Sequence, residues 1–273
     1  MSFSVLMSVY YKEKAEYLRQ AIESIVTQKK MPSEVVIVKD GKLTDELNKV
    51  IEEFDKTYIG LFKIISLEKN MGLGEALKIG VTKCSNELVA RMDSDDICLP
   101  DRFEIQKKFM ENNKEIDIVG SWIKEFYNEP DNVVSIRAVP IKHNEIISYA
   151  RKRNPLNHMS VMFRKEAVMK AGNYQPFLWY EDYYLWVRMI MKNSKIANID
   201  QVLALVRADN NMFKRRGGID YIKSEVKFQK QLLKYEFINR KEFLRNIIIR
   251  VSIRLIPNII RKLFYRKFLR KKP

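Results

Sequence analysis

Four apolar runs in the first hundred residues are each followed by a stretch with apolar residues at helical spacing. The runs are residues 3–10 (FSVLMSVY), 34–39 (EVVIVK), 59–67 and 88–92. The first is followed by Leu18, Ala21, Ile22 and Ile25, the second by Leu47, Val50, Ile51 and Phe54. Gly72-Leu73-Gly74 opens a third helix that ends about Cys84, and Pro100 starts a fourth that ends about Asn112. Strand alternating with helix in this way predicts a parallel, doubly wound α/β sheet.

Beyond residue 112 the alternation stops. Residues 116–127, 133–139, 158–163 and 196–207 read as strands, with a helix over 183–192 and a longer one over 219–239. No repeat or flexible linker divides the chain. The reading is one continuous unit over 1–218, with a nucleotide-binding half to about residue 100 and a smaller mixed half over about 101–218. Residues 219–273 are then C-terminal helices.

The net charge of +16 is concentrated at the end of the chain. From Arg240 onward there are 12 Lys and Arg against one acid, Glu242, so residues 1–239 carry only +5. That balance does not require a nucleic-acid-binding body, and no nucleic-acid partner is expected. Within 241–273, Leu244, Ile248, Val251, Leu255 and Ile259 form an apolar helical stripe. Arg250, Arg254 and Arg261 share another side, and Pro257 should kink the helix. A basic amphipathic helical tail on an anionic membrane surface fits this pattern. So does a helix packed on the body with solvated charges. No segment approaches a membrane span, and MSFSVLMSVY lacks the charged start of a signal peptide. The expected location is the cytoplasm. Cys84 and Cys98 are expected to be buried, reduced thiols.

Three clusters carry candidate chemistry. Asp93-Ser94-Asp95-Asp96 places three carboxylates in four positions directly after the fourth strand, where ligands of open α/β sheets bind. A divalent cation would compensate such crowding, and a solvated Asp-rich turn capping the next helix is the other reading. Asp40 follows the second strand, either as a turn residue or as a partner of a ribose or base edge. Glu181-Asp182 lies among Trp179, Tyr180, Tyr183, Tyr184 and Trp186 at a helix start. An acidic pair there can complement the helix dipole, and an aromatic wall can also desolvate a carboxylate and suit it to act as a base. His158 fits a structural, ligand or acid–base role. Arg215 and Arg216, beside a Gly pair, fit either an exposed basic loop or one that closes on a diphosphate.

Taken in order, SVLMSVYYKE, AIESIVTQKKMPSEVVIVKDG, NMGLGEALKIG, ELVARMDSDDICLPDRF, HMSVMFRKEAVMKAGNY and WYEDYYLWVRM resemble the family-2 inverting glycosyltransferases of GT-A fold. The resemblance spans about residues 3–218. It is nearest to bacterial enzymes of capsule, exopolysaccharide and O-antigen assembly, including the amylovoran type. It implies a GT-A, Rossmann-like, mainly parallel sheet. Ser8, Val9 and Tyr10 would line the nucleotide pocket, with Asp40 on the uracil or ribose. Asp93 and Asp95 would be the DxD element holding Mn²⁺ or Mg²⁺, Asp95 as the metal ligand and Asp93 near the ribose and sugar. Asp182 would be the catalytic base and Glu181 would place a sugar. Arg215 and Arg216 are assigned to the donor diphosphate, and His158, Trp179 and Tyr180 to the acceptor. The implied donor is a nucleotide-diphosphate sugar, most often UDP-linked. The implied acceptor is a sugar on a polyprenyl diphosphate, reached from the inner face of the cytoplasmic membrane. Lys42 and Lys78 depart from residues common in the family, Ser and Asn respectively, and both departures bear on donor contacts.

Rival readings are a non-catalytic nucleotide-sugar or membrane-surface binding protein and a nucleotidyltransferase. The last normally needs a Gly-rich N-terminal loop, which SVYYKEKAEY lacks.

Overall fold

The computed structural model describes residues 1–208 and 218–255. The chain opens with β1 (Phe3–Val9), α1 (Ala15–Val26), β2 (Glu34–Lys39), α2 (Asp45–Thr57), β3 (Phe62–Ser66), α3 (Leu73–Lys83) and β4 (Leu88–Met92). β1 pairs in parallel with β2 and β4, and β2 in parallel with β3. Every residue of β4 is buried, as a strand covered on both faces requires. α1 and α2 pack Leu18, Ile22, Leu47 and Ile51 under one face. α3 packs Ala76, Leu77 and Val81 on the other. Thr44 caps α2 by accepting from the Leu47 N–H.

The rest of the chain adds β5 (Ile97–Cys98), α4 (Arg102–Asn112), β6 (Ile118–Phe126), β7 (Val133–Arg137), α5 (His143–Ala150), β8 (Met162–Arg164), α6 (Lys165–Lys170), α7 (Glu181–Met191) and β9 (Ile196–Arg207). Two helices follow, α8 (Ile219–Lys234) and α9 (Arg240–Leu255). All nine strands join one sheet in the order β3-β2-β1-β4-β8-β6-β9-β5, with β7 on β6. β8 is antiparallel to both β4 and β6, so the sheet turns from parallel to mixed at that strand. The chain goes to opposite sides of β1 to reach β2 and β4. That switch point opens a crevice beyond the carboxyl ends of β1 and β4.

The expected strand over 158–163 is instead a 3-10 turn, His158–Ser160, followed by the short β8. Ser160 braces the turn: its Oγ donates to the Asn157 carbonyl at 2.9 Å and accepts from the Ser121 N–H at 3.1 Å. The helix expected over 219–239 ends at Lys234, where Glu236 adopts a positive φ of 57°. Asn239 and Glu242 then exchange reciprocal side-chain-to-backbone bonds, a capping box that starts α9. Both cysteines are buried and unpaired. No helix among the described residues is long and apolar enough to cross a membrane.

Candidate active site

β4 ends at Met92 and delivers Asp93, Asp95 and Asp96 to the crevice. One carboxylate oxygen from each lies within 4.8 Å of the others. The run is pinned from far away in sequence. The Arg207 N–H donates to Asp96 Oδ1 at 2.9 Å, and Arg207 Nε donates to the Asp95 carbonyl at 3.2 Å. Ser94 Oγ donates to Glu13 Oε2. Arg91, buried in β4, donates from Nη2 to Asp93. Burial, then the charges of Asp93 and Glu13, push the Asp95 carboxyl up to about 7. Burial, then the charges of Asp95 and Asp93, raise Asp96 as well. A divalent cation would relieve this repulsion, and three hard oxygen donors suit Mg²⁺ or Mn²⁺. Asp96 belongs with the expected pair; its signal was its place as third carboxylate of the run.

The residues expected to hold the nucleotide divide. Ser8 is half-buried and Tyr10 exposed at the end of β1. Val9 does not face a pocket: its side chain lies in the core cluster beneath the sheet, because strand residues alternate faces. Asp40, expected on the uracil or ribose, has protein partners. It is 2% exposed, and its two oxygens accept the Met71 and Gly72 N–H groups at 2.7 and 3.0 Å. It thereby tethers the loop that leads into α3, where Gly72 sits at φ 86°, a conformation costly for any other residue.

The second acidic group begins α7. Asp182 Oδ1 accepts from the Tyr183 N–H and Oδ2 from Asn154 Nδ2, both at 2.6 Å. Burial raises the Asp182 carboxyl, and these two bonds oppose the rise. Burial, then the charge of Asp182, pushes Glu181 up to about 7. The N-terminus of α3 approaches closely because Gly74 has no Cβ; one there would lie 3.3 Å from Glu181 Cβ. Trp179, just before, adopts φ 67°, an uncommon conformation for a bulky residue, and stacks on Tyr221 with ring centres 4.8 Å apart.

A cavity of about 700 Å³ unites Asp93 and Arg91 with His158, Trp179, Tyr180, Glu181 and Asp182. Asp40, Asp95 and the end of β1 lie outside its lining. His158 lines it but is only 8% exposed, and its Nε2 meets the Tyr174 hydroxyl at 2.8 Å. Burial, then the charge of Arg91, holds the ring well below its usual pKa. Tyr180 lines the cavity too, yet its hydroxyl donates to Glu225 at 2.5 Å. Arg215 and Arg216 lie outside the described residues.

Helices α8 and α9 complete the site. On α8, Tyr221, Ser224, Glu225 and Phe228 form one face against the segment before Glu181. Ser224 Oγ donates to the Leu178 carbonyl, and Phe228 stacks on Tyr180. Glu225 is wholly buried and pairs with Arg250 at 2.7 Å and Arg254 at 3.8 Å. α9 therefore turns Asn246, Arg250 and Arg254, spaced four apart, inward. Leu244 and Ile248 are left 58% and 57% exposed. This corrects the expectation that Arg250 and Arg254 face a membrane: a buried carboxylate draws them in, and the apolar side faces out. The stripe beyond Leu255, including Pro257, Ile259 and Arg261, lies outside the described residues.

The family model described as Glycosyl transferase family 2 matches residues 4–174. The chain is 41% identical over 269 residues to UDP-Gal:alpha-D-GlcNAc-diphosphoundecaprenol beta-1,3-galactosyltransferase of Escherichia coli, covering 98% of this chain and 97% of the relative. It is 40% identical to amylovoran biosynthesis glycosyltransferase AmsE of Erwinia amylovora, over 97% and 98% of the two. Among solved structures it resembles S. aureus TarS 1-349 in complex with UDP-GlcNAc, with a TM-score of 0.68 at 18% identity, over 92% of this chain and 72% of that one. It also resembles the mannosyltransferase PcManGT from Pyrobaculum calidifontis in complex with GDP-Man and Mn²⁺, with a TM-score of 0.65 at 15% identity, over 92% and 69%. These two structures bear on the fold, which is the GT-A architecture expected.

Proposed function

The chain belongs to glycosyl transferase family 2 and is a glycosyltransferase, and from that premise we propose that it transfers a UDP-linked hexose to a sugar hydroxyl of a lipid-diphosphate acceptor, with inversion. The reading makes it an enzyme of bacterial surface-polysaccharide assembly. The observation that carries it is the near-full-length likeness to the E. coli galactosyltransferase, joined to a cavity in which Asp93 and the Glu181–Asp182 pair meet. UDP-galactose is the first donor to try.

Asp182 is the base. A sugar hydroxyl has a pKa far above seven, so its proton must leave as it attacks the anomeric carbon. Asn154 and the Tyr183 N–H fix the orientation of the carboxylate that takes this proton. Burial raises its basicity. Glu181, beside it, positions a sugar hydroxyl. Asp93, Asp95 and Asp96 would hold a divalent cation, whose Lewis acidity supports the departing diphosphate. Direct displacement converts an α-linked donor into a β-linked product.

We place the enzyme on the inner face of the cytoplasmic membrane. The outward Leu244 and Ile248 and the basic chain end support that position.

The test incubates the full chain with UDP-galactose, Mn²⁺ and a GlcNAc-diphosphate-alkyl acceptor, and reads the product by mass and by the anomeric coupling in NMR. A β-linked disaccharide diphosphate is expected. No transfer from UDP-galactose, UDP-glucose or their N-acetyl forms would overturn the reading, and an α-linked product would overturn its stereochemistry.

A further inference from the structure

We propose that the cavity wall formed by the end of α5 and the inner face of α9 is the subsite for the diphosphate of the acceptor. The inference rests on the acceptor class proposed above and assigns residues to it.

The charge around the cavity is uneven. Seven of its lining residues are Lys or Arg and three are acids, and those three are Asp93, Glu181 and Asp182. The cations Lys152, Arg153, Arg245 and Arg250 gather instead where α5 runs out and α9 passes over it. That wall is built rather than incidental. Arg250 Nη2 donates to the Lys152 carbonyl at 2.5 Å while Nη1 holds Glu225. Buried Asn246 donates to the Arg151 carbonyl at 2.8 Å and to Gln229 at 3.0 Å. The oxygen of the same amide accepts from both Nε and Nη2 of Arg245, which fixes the guanidinium with an uncharged partner. A positioned guanidinium beside a lysine in a cavity suits a multiply charged phosphate group.

The neighbouring surface indicates which diphosphate. On the same turns of α9, Ile249 lines the cavity and is 49% exposed, while Leu244 and Ile248 face outward. A diphosphate seated on Lys152 and Arg245 would thus have an apolar ridge beside it for a lipid chain. Its sugar would extend toward Glu181 and Asp182. A nucleotide diphosphate needs no such ridge.

The test compares Arg245→Gln and Lys152→Gln with wild type on two acceptors, a GlcNAc-diphosphate-alkyl and a neutral GlcNAc-alkyl glycoside of equal chain length. Each variant should raise KM for the diphosphate acceptor about tenfold, the size of one charge-assisted hydrogen bond. KM for UDP-sugar and for the neutral acceptor should not move. A rise in donor KM instead would assign these cations to the nucleotide and overturn the proposal. Equal losses on both acceptors would reduce the wall to a structural role and overturn it too. If wild type used the neutral glycoside as well as the diphosphate, the subsite would fall while sugar transfer stood. If wild type used neither, both readings would fall together.

Discussion

The two carboxylate groups of the site are secured by different means. Asp93, Asp95 and Asp96 follow directly from the end of β4, so the register of one buried strand carries all three to the crevice. Glu181 and Asp182 depend on groups scattered over the chain. Asn154 holds Asp182, Gly74 admits α3, and α8 holds the Leu178 carbonyl through Ser224 and the Tyr180 hydroxyl through Glu225, which α9 pairs in turn. The acidic run is a local motif that needs a counter-charge, whereas the acid pair is a tertiary construction that needs its scaffold. Damage to the two groups should therefore look different.

The largest effect is expected at Asp182. Asp182→Asn should lower kcat by about a thousandfold, within the range for a lost general base, with UDP affinity intact by calorimetry. Asp95→Ala should do the reverse and abolish metal-dependent UDP binding. If Asp182→Asn also lost nucleotide affinity, the division of labour between the two groups would be wrong.

Glu225→Gln tests the scaffold. Removing the charge leaves Arg250 and Arg254 without their buried carboxylate, which should cost about 3 kcal/mol in urea unfolding. The folded fraction should show reduced kcat and an unchanged donor KM. Asn154→Ala should be milder, with stability nearly retained and kcat lowered about tenfold through the loss of one bond to a charged group. A wild-type rate in Asn154→Ala would show that the bond does not orient the base.

A further test concerns pH. Glu181 titrates near 7 in the fold and near 4.3 when unfolded. Between those values the folded chain retains a proton that the unfolded chain has released. The stability this contributes is present below about pH 4 and is lost as pH rises through 7. Glu181→Gln should therefore flatten the fall in denaturation midpoint between pH 5 and pH 8. An unchanged slope in the variant would mean that Glu181 is not the group responsible.

Much of the strand and helix pattern was legible because its signals are local. β2, β4 and β9 lie where the apolar runs end, and α1 and α2 bury the residues that their spacing selects. The Asp run and the Glu181–Asp182 pair were legible as chemistry for the same reason. Less legible were Asp40, His158 and Tyr180, each of which has a plausible ligand role by type. Asp40 closes on the Met71–Gly72 backbone, His158 on Tyr174, and Tyr180 on Glu225, all partners at least 16 positions away.

The C-terminal helix shows where sequence ends and tertiary structure begins. Periodicity determined that α9 would be helical, with apolar and basic residues on separate sides. Which side faces the body was decided by one buried carboxylate. Glu225 has no water to solvate it, so it pairs with Arg250 and Arg254 and rotates the apolar residues outward. Helical spacing is a property of neighbours along the chain. The direction a helix faces depends on the charge it meets there, and that charge lies 25 residues back in the sequence.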